Sequence, residues 1–340
     1  MPSVSPISEC PTVSIVIPAF NEEFIIKERI RNINESSYPK NCLEIIVIDD
    51  ASTDRTTDFA KEAIKEYFIP GCIISNHERM GTNRSFNRGI SRSGGDIIVT
   101  TGADVFFERD ALCNVISRLL SDQEIGAVCA DMKPLISRDS HETVNRERAY
   151  RDYYGLMCSW ESAHDSTFNF NGGLVAFRKG AVAKIREQRG ADDANTAFEV
   201  IRNGKRAVYE IDALVYEEIM EDRASQSRQK IRRAKRLIEA TLANLDLLSQ
   251  KRPFSRIFYP LRIFMNVCSP VLFFLGTSIS ILGIIPYSLF GAAAVFIGLI
   301  VILAGRSIAS VFLWNQYFLF RGLLNIGRDT LVWESTSRKN

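Results

Sequence analysis

Asp49 and Asp50 follow directly on an unbroken aliphatic run at residues 45–48. Asp104 closes a second apolar run, at 96–101, by way of Gly102-Ala103. Carboxylates at the carboxyl ends of buried strands sit where open α/β sheets bind their ligands. Such a group can take a proton from a hydroxyl or help to hold a hard divalent cation. A further acidic pair, Asp192-Asp193, precedes an amphipathic stretch carrying Ala197, Phe198, Val200 and Ile201. From these residues alone the pair reads as a helix cap with its charge favourably placed at the dipole. Gly172-Gly173 lets backbone approach a ligand closely, or simply turns the chain. Gln229, Arg232 and Arg233 lie in a run at 225–236 dense in Lys and Arg, and an arginine fork donates two bonds at once to a phosphate.

Those residues need elements to hold them. Residues 13–17 form a short apolar run ended by Pro18, and a helical pattern with Ile25, Ile26, Ile30 and Ile33 follows. Asn21 is the expected cap of that helix and Asp54 that of the next, at about 54–67. The run at 43–48 reads as a strand buried on both faces. Residues 72–75 make a third strand, 81–91 a third helix and 96–101 a fourth strand. Strand and helix alternate at βαβ spacing, which predicts a mainly parallel sheet with right-handed crossovers. Further on, 127–130 reads as a strand and 144–160 as a long polar helix bearing Tyr150, Tyr153, Tyr154 and Trp160. That aromatic series reads as packing, with Trp160 the candidate for an acceptor contact. Another strand ends at Tyr216-Glu217-Glu218.

Charge is nearly balanced, with 42 Lys and Arg against 40 Asp and Glu, so no nucleic-acid partner is expected. Seven scattered cysteines without a CxxC pair, and only three histidines, argue against a structural zinc site and for reduced thiols. No basic segment followed by an apolar core opens the chain, so no signal peptide is expected. From 263 to 305 there is no charged residue. That run is too long for one membrane span and fits two, near 263–285 and 289–303, with Gly283 and Pro286-Tyr287-Ser288 supplying the break. The positive charge at 228–262, and Arg306, Arg321 and Arg328 beyond, place both flanks in the cytoplasm. Residues 311–326 mix aromatic and polar side chains and suit an interfacial helix.

The order Val-Ser-Ile-Val-Ile-Pro-Ala-Phe-Asn-Glu-Glu, then Ile-Val-Ile-Asp-Asp-Ala-Ser-Thr-Asp, then Gly-Ala-Asp-Val resembles the opening of a family 2 glycosyltransferase with the GT-A fold. The match in order and spacing covers residues 13–105. The resemblance implies an α/β, GT-A (Rossmann-like), mainly parallel sheet with flanking helices, here followed by a C-terminal transmembrane hairpin. It implies a nucleotide-sugar donor, with Pro18 and Glu22 lining the nucleoside pocket. Asp50, with Asp49 beside it, would face the base or ribose, and Arg84 and Asn87 would lie near the sugar or diphosphate. Asp104 would ligate Mg²⁺ or Mn²⁺; the family's motif is usually Asp-x-Asp, and here the first position is Gly102. A divalent ion would offset charge on the departing diphosphate. Gly172-Gly173 is similar to the family's acceptor segment, and Asp192-Asp193 to the pair that carries its general base, assigned to Asp193. Gln229 and Arg232 match the Gln-x-x-Arg-Trp motif of membrane-attached members, which holds acceptor and diphosphate. Arg233 stands in the Trp place, and Lys230, Lys235 and Arg236 are expected to face lipid.

The domains expected are 1–222, a cytoplasmic GT-A domain; 223–262, an amphipathic interface helix and basic juxtamembrane segment; 263–305, two membrane helices; and 306–340, an interfacial helix and polar tail. The function expected is inverting, metal-dependent transfer of a sugar to a lipid-linked or glycan acceptor by a multi-pass cell-membrane protein. Membrane lipids are expected partners, and association with a second copy is left open. Two rivals stand: a non-catalytic nucleotide-sugar-binding scaffold and a processive polysaccharide synthase. Two spans give little protein to line a translocation channel, which disfavours the synthase.

Overall fold

The structure is a computed structural model that describes residues 10–135, 141–187, 190–218, 223–284, 291, 293, 296–298, 300 and 308–327. Strands β1 (Val13–Ala19), β2 (Leu43–Asp49), β3 (Gly71–Ser75) and β4 (Ile97–Thr100) alternate with helices α1 (Ile26–Asn34), α2 (Thr56–Glu66) and α3 (Thr82–Arg92). Then come β5 (Val105–Phe107), α4 (Ala111–Leu120), β6 (Ile125–Leu135), α5 (His141–His164), β7 (Val175–Arg178), α6 (Asp192–Arg202), β8 (Arg206–Glu218) and α7 (Arg223–Ala243). All eight strands join one sheet in the order β3-β2-β1-β4-β7-β6-β8-β5.

The burial pattern explains the aliphatic runs. Ile15, Ile17, Ile45 and Val47 enter the core on one face of the sheet, and Val16, Ile46 and Ile48 enter the core on the other. A strand covered on both faces carries apolar residues on each of them, so the pattern reads as continuous rather than alternating; Ser14 and Glu44 are the polar exceptions near the strand starts and bond to each other. The sheet departs from mainly parallel in its second half. β7 pairs antiparallel with both β4 and β6, and β5 antiparallel with β8. The register gives the cause: Val175, where β7 begins, pairs with Thr100, where β4 ends. The chain re-enters the sheet from the end at which β4 leaves it.

Two expected caps resolve differently. Asn21 does not cap α1. It adopts a left-handed conformation, φ 53°, which Asn tolerates better than most residues. Its Oδ1 accepts from the Thr53 amide at 2.9 Å and its own amide donates to Ser52 Oγ at 3.0 Å, so it pins the loop after β1 to the loop after β2. Asp54 does support its helix, accepting from the Thr56 amide at 3.0 Å.

After α7 a helix runs through two π-turns, Phe254–Phe258 and Phe264–Cys268, around α8 (Tyr259–Ile263), and continues as α9 (Ser269–Ile284). Its segment Phe254–Ser280 is the one described helix long and apolar enough to cross a membrane, with mean hydropathy 1.6. Its first turns are docked in the domain. Phe254 and Tyr259 join Phe168 and Phe198 in a buried aromatic cluster, Asp165 accepts from the Phe254 amide at 2.9 Å, and Arg262 pairs with buried Glu161 at 2.6 Å. Beyond them Leu275 is 54 % and Ile279 62 % exposed, which a core helix would not tolerate. Most of the second expected span, including the Pro286-Tyr287-Ser288 break, and the tail at 329–340 lie outside the described residues. Residues expected to form an interfacial helix form α10 (Ile308–Leu324), which packs on α7 and α9.

Candidate active site

The carboxyl ends of β1 and β4, the loop before α6, and helices α5, α7 and α10 enclose a cavity of about 840 Å³. Pro18 lines it from the carboxyl end of β1, Glu22 from the loop after that strand, and Gly102, Ala103 and Asp104 from the turn after β4. Asp49 and Asp50 do not line it. Asp50 is fully buried behind the wall. Its carboxylate accepts from the Met80 amide at 2.8 Å, the Gly81 amide at 3.0 Å, Asn76 Nδ2 at 2.7 Å, Ser85 Oγ at 3.2 Å and Arg79 Nε at 3.3 Å. A carboxylate so saturated organises a loop, here the one leading into α3. Asp49 accepts from the Ser52 amide at 3.1 Å. Arg84 and Asn87 also lie off the cavity: Arg84 meets Glu187 at 3.5 Å, and Asn87 is bonded to both backbone groups of Ile185.

Opposite the β4 turn stand the glycines and the acidic pair. Gly172 takes φ 71°, and a Cβ added there would lie 3.3 Å from Asp193 Oδ2, so the turn passes close to the carboxylate and leaves little room for a side chain. Gly173 is buried and does not line the cavity; its amide donates to Asn171 Oδ1 at 3.0 Å. Asp192 and Asp193 open α6, and Asp193 accepts from the Ala194 amide at 2.7 Å. Desolvation, then the neighbouring charge of Asp192, push the Asp193 carboxyl up to about 7. The pair therefore opens the helix and keeps one of its carboxyls, that of Asp193, raised toward neutrality.

The third wall is helical and charged. Gln229, Arg232 and Arg233 of α7 all line the cavity. Arg233, in the place of the motif's Trp, pairs with Glu217 of β8. Glu217 also meets Arg151 of α5 at 2.8 Å, Arg151 meets Glu147 at 3.1 Å, and Glu147 meets Lys230 of α7 at 2.7 Å. Burial alone would raise the Glu217 carboxyl, but Arg233 and Arg151 outweigh it and hold it down to about 2. Arg232 takes no part in this chain; burial, then Arg233 and Arg236, lower its pKa from the usual arginine value. Expected to face lipid, Lys230, Lys235 and Arg236 instead turn into the protein. Lys230 is held by Glu147, Lys235 is 4 % exposed, and Arg236 donates to Asn83 Oδ1 at 2.8 Å and faces Asp192 at 3.7 Å. The reason is that α7 is covered on several sides, by α5 and β8, by the loop before α6, and by α10.

Residues 14–182 match the family model described as glycosyl transferase family 2. They form a glycosyltransferase family 2 domain. The glycosyltransferase domain has curated relatives in several organisms. The chain is 28 % identical over 261 residues to the probable glycosyltransferase YdaM of Bacillus subtilis, which covers 74 % of this chain and 62 % of YdaM. It is 38 % identical over 104 residues to the dolichyl N-acetyl-α-D-glucosaminyl phosphate 3-β-D-2,3-diacetamido-2,3-dideoxy-β-D-glucuronosyltransferase of Methanococcus voltae, covering 31 % of this chain and 32 % of that one. The chain thus spans less than two thirds of the length of these relatives. Among solved structures, the mannosyltransferase PcManGT of Pyrobaculum calidifontis, in complex with GDP-Man and Mn²⁺, superposes with a TM-score of 0.81 at 24 % identity over 94 % of this chain and 87 % of that one. The sheet and its flanking helices are those of the GT-A fold.

In this glycosyltransferase domain no three His, Cys, Asp or Glu side chains among the described residues gather as a metal cage. Asp104 is the β4-turn carboxylate at the cavity, and an added Cβ at Gly102 would lie 2.7 Å from its Oδ1. One hard oxygen ligand beside an open cavity suits a Mg²⁺ or Mn²⁺ ion that completes its shell with substrate phosphates and waters. Several cavity residues carry no motif signal in the sequence. Glu147, Arg151, Tyr150 and Tyr154 come from the polar helix α5, whereas Trp160 does not line the cavity and packs edge-on against Phe258 and at a tilt against His164. From α10 come Val311, Trp314, Asn315, Phe318 and Leu319. Their spacing of three and four was the available signal for one helix face, but nothing local says what that face covers.

Proposed function

We propose that the protein is a membrane-anchored glycosyltransferase that moves a sugar from a nucleoside diphosphate donor to a hydroxyl of a lipid-linked acceptor, with inversion and with the help of Mg²⁺ or Mn²⁺. The observation that carries the reading is that Asp104, Asp193 and Arg232 line one cavity together with an aromatic wall from α10. The donor diphosphate lies between Asp104 and Arg232. The acceptor hydroxyl gives its proton to Asp193 as its oxygen bonds to the anomeric carbon. The bond from that carbon to the diphosphate breaks, and the electron pair leaves on the phosphate oxygen, where Arg232 offsets the charge. Asp104 would supply the protein ligand of a divalent ion, which would offset the same charge.

The lipid-linked acceptor is supported by how α10 is shared. One face, with Val311, Trp314 and Phe318, lines the cavity; the next, with Phe312 and Phe320, meets Phe273 and Phe274 of the exposed apolar helix. The chain-bearing part of an amphiphile can follow that surface while its head stays by Asp193. The uncharged run at 263–305 beside basic flanks supports two spans with the catalytic domain in the cytoplasm.

Full-length protein in lipid nanodiscs, given a panel of radiolabelled nucleotide sugars with Mn²⁺, is expected to move label from one donor into a lipid extract and not into soluble glycans. Asp104→Ala is expected to abolish Mn²⁺-dependent transfer while the thermal unfolding midpoint holds. Donor binding by the parent protein with neither transfer nor hydrolysis would establish the scaffold reading instead.

A further inference from the structure

Arg29 is among the largest fully buried side chains of the described residues, on a helix whose next arginine, Arg31, is an ordinary surface residue paired with Glu35 at 2.9 Å. Taking a guanidinium out of water costs several kcal/mol unless its surroundings compensate it. Its hydrogen bonds all go to neutral acceptors: Nε to the Gly102 carbonyl at 3.3 Å, one terminal nitrogen to Thr101 Oγ1 at 3.0 Å, the other to Asn32 Oδ1 at 2.7 Å. The plane rests on the Phe107 ring, 4.0 Å from its centroid. Asn32 is itself locked, donating to the Phe107 carbonyl at 2.9 Å and accepting from its amide at 2.8 Å. The guanidinium thus grips the chain on both sides of Asp104, at 101–102 and at 107, without lining the cavity.

Thr101 extends the grip. Its hydroxyl accepts from Arg29 and donates to the Gly173 carbonyl at 2.6 Å, and the adjacent Gly172 passes close to Asp193, whose Oδ2 would lie 3.3 Å from a Cβ added there. Two hydrogen bonds therefore connect α1 to the turn that carries Asp104 and to the turn that touches the acidic pair.

We propose that Arg29 is the positioning residue of this site: it fixes the Gly102–Asp104 turn so that the Asp104 carboxylate meets a divalent ion on the donor phosphates, and through Thr101 it holds that turn in register with the glycines beside Asp193. The proposal rests on the glycosyl-transfer reading. An added Cβ at Gly102 would lie 2.7 Å from Asp104 Oδ1, so a side chain there would make the carboxylate shift from the position this turn gives it.

Calorimetry of GDP and UDP binding to the full-length protein, with and without Mn²⁺, tests this. The quantity read is the gain in nucleotide affinity that Mn²⁺ gives. Arg29→Lys keeps the charge and loses the fork, and is expected to reduce that gain about tenfold, the scale for removing a partner that orients a metal ligand. Thr101→Val, which keeps shape and loses the hydroxyl, is expected to reduce it in the same direction by less, and serves if the arginine variant does not fold. In an Asp104→Ala background Arg29→Lys is expected to change nothing further, because it acts through Asp104. A folded Arg29→Lys protein with its full Mn²⁺ gain, or losses that add in the double variant, would overturn the positioning role and leave the transfer reading intact. A parent protein whose nucleotide affinity ignores Mn²⁺ would instead remove the metal-assisted reading and this proposal with it.

Discussion

The sheet end formed by β1, β2 and β4 and the helical wall of α5, α7 and α10 face each other across the cavity, and they use charge differently. At the sheet end most motif residues turn inward. Asn21, Asp49, Asp50 and Asp54 hold one another's loops, and Pro18, Glu22 and Asp104 reach the cavity. On the helical wall the charges stand at the cavity surface and compensate one another across elements, from Lys230 through Glu147, Arg151 and Glu217 to Arg233. A dense motif therefore marks where a loop must be rigid, which is not the same as where a ligand is touched. A polar helix without a motif can supply half of a binding surface.

The largest expected effect tests the sheet end. Asp50→Ala removes the acceptor of the Met80 and Gly81 amides and one partner of the Arg79 guanidinium, and should cost about 3–5 kcal/mol of stability, the usual scale for removing one partner of a buried charged network. Thermal unfolding in detergent reads it. If the unfolding midpoint holds and nucleotide binding disappears, Asp50 is a ligand residue and the contrast between the two regions fails.

Next comes the floor between them. Asp193→Asn keeps shape and capping ability but loses the basic oxygen, and single-turnover transfer should fall roughly 10²-fold or more. The parent kcat/KM should rise with pH through an acid limb near pH 7, because Asp193 is raised to about 7 and must be ionised to act. That limb should vanish in the variant. Retention of the limb would move the base to Asp192. The linkage to stability has the same origin. A carboxyl raised in the folded state disfavours folding as it ionises, so the parent should lose stability relative to Asp193→Asn as pH climbs from about 4 toward 7.

The smallest effect belongs to the helical wall, and its pH dependence has the opposite sign. Glu217 is held down to about 2, below the ordinary value of about 4.3, so its contribution is present above pH 4.3 and is lost as pH falls toward 2. Glu217→Gln should cost about 2 kcal/mol at neutral pH, less than a fully buried pair because Arg233 is partly exposed, and the difference should shrink toward zero in acid. Unfolding curves of parent and variant between pH 2 and 7 measure it. A constant difference across that range would mean that packing, not charge pairing, holds the wall.

Much of the sheet end was legible because its signals are local. Aliphatic runs without polar positions mark strands covered on both faces, and the β1–β4 alternation with helices needs only the chain's own periodicity. The acidic pair Asp192-Asp193 was legible as a helix start, and Gln229 and Arg232 as a cavity-facing pair, since three residues apart on a helix share a face. What misled was the surface of α7. Lys230, Lys235 and Arg236 look like a lipid-facing stripe, because in a sequence a cation's partner is invisible when it lies far along the chain. Lys230 finds Glu147 on α5, and Arg236 finds Asn83 on α3.

By itself, then, the sequence determined the family, the strand cores, the acids at strand ends and a helix apolar enough for a membrane. Those properties follow from short-range periodicity and from motifs whose spacing the backbone enforces. Only the tertiary structure decided which acids face the cavity, that β7 runs antiparallel between β4 and β6, and that α10 folds back as a wall over α7. Each of these depends on which distant groups satisfy a buried donor or cover an apolar face. Asp50 and Asp104 are the same residue type just beyond the ends of β2 and β4, the two strands that flank β1; five donors from the 76–85 segment bury one, and the turn above Arg29 presents the other.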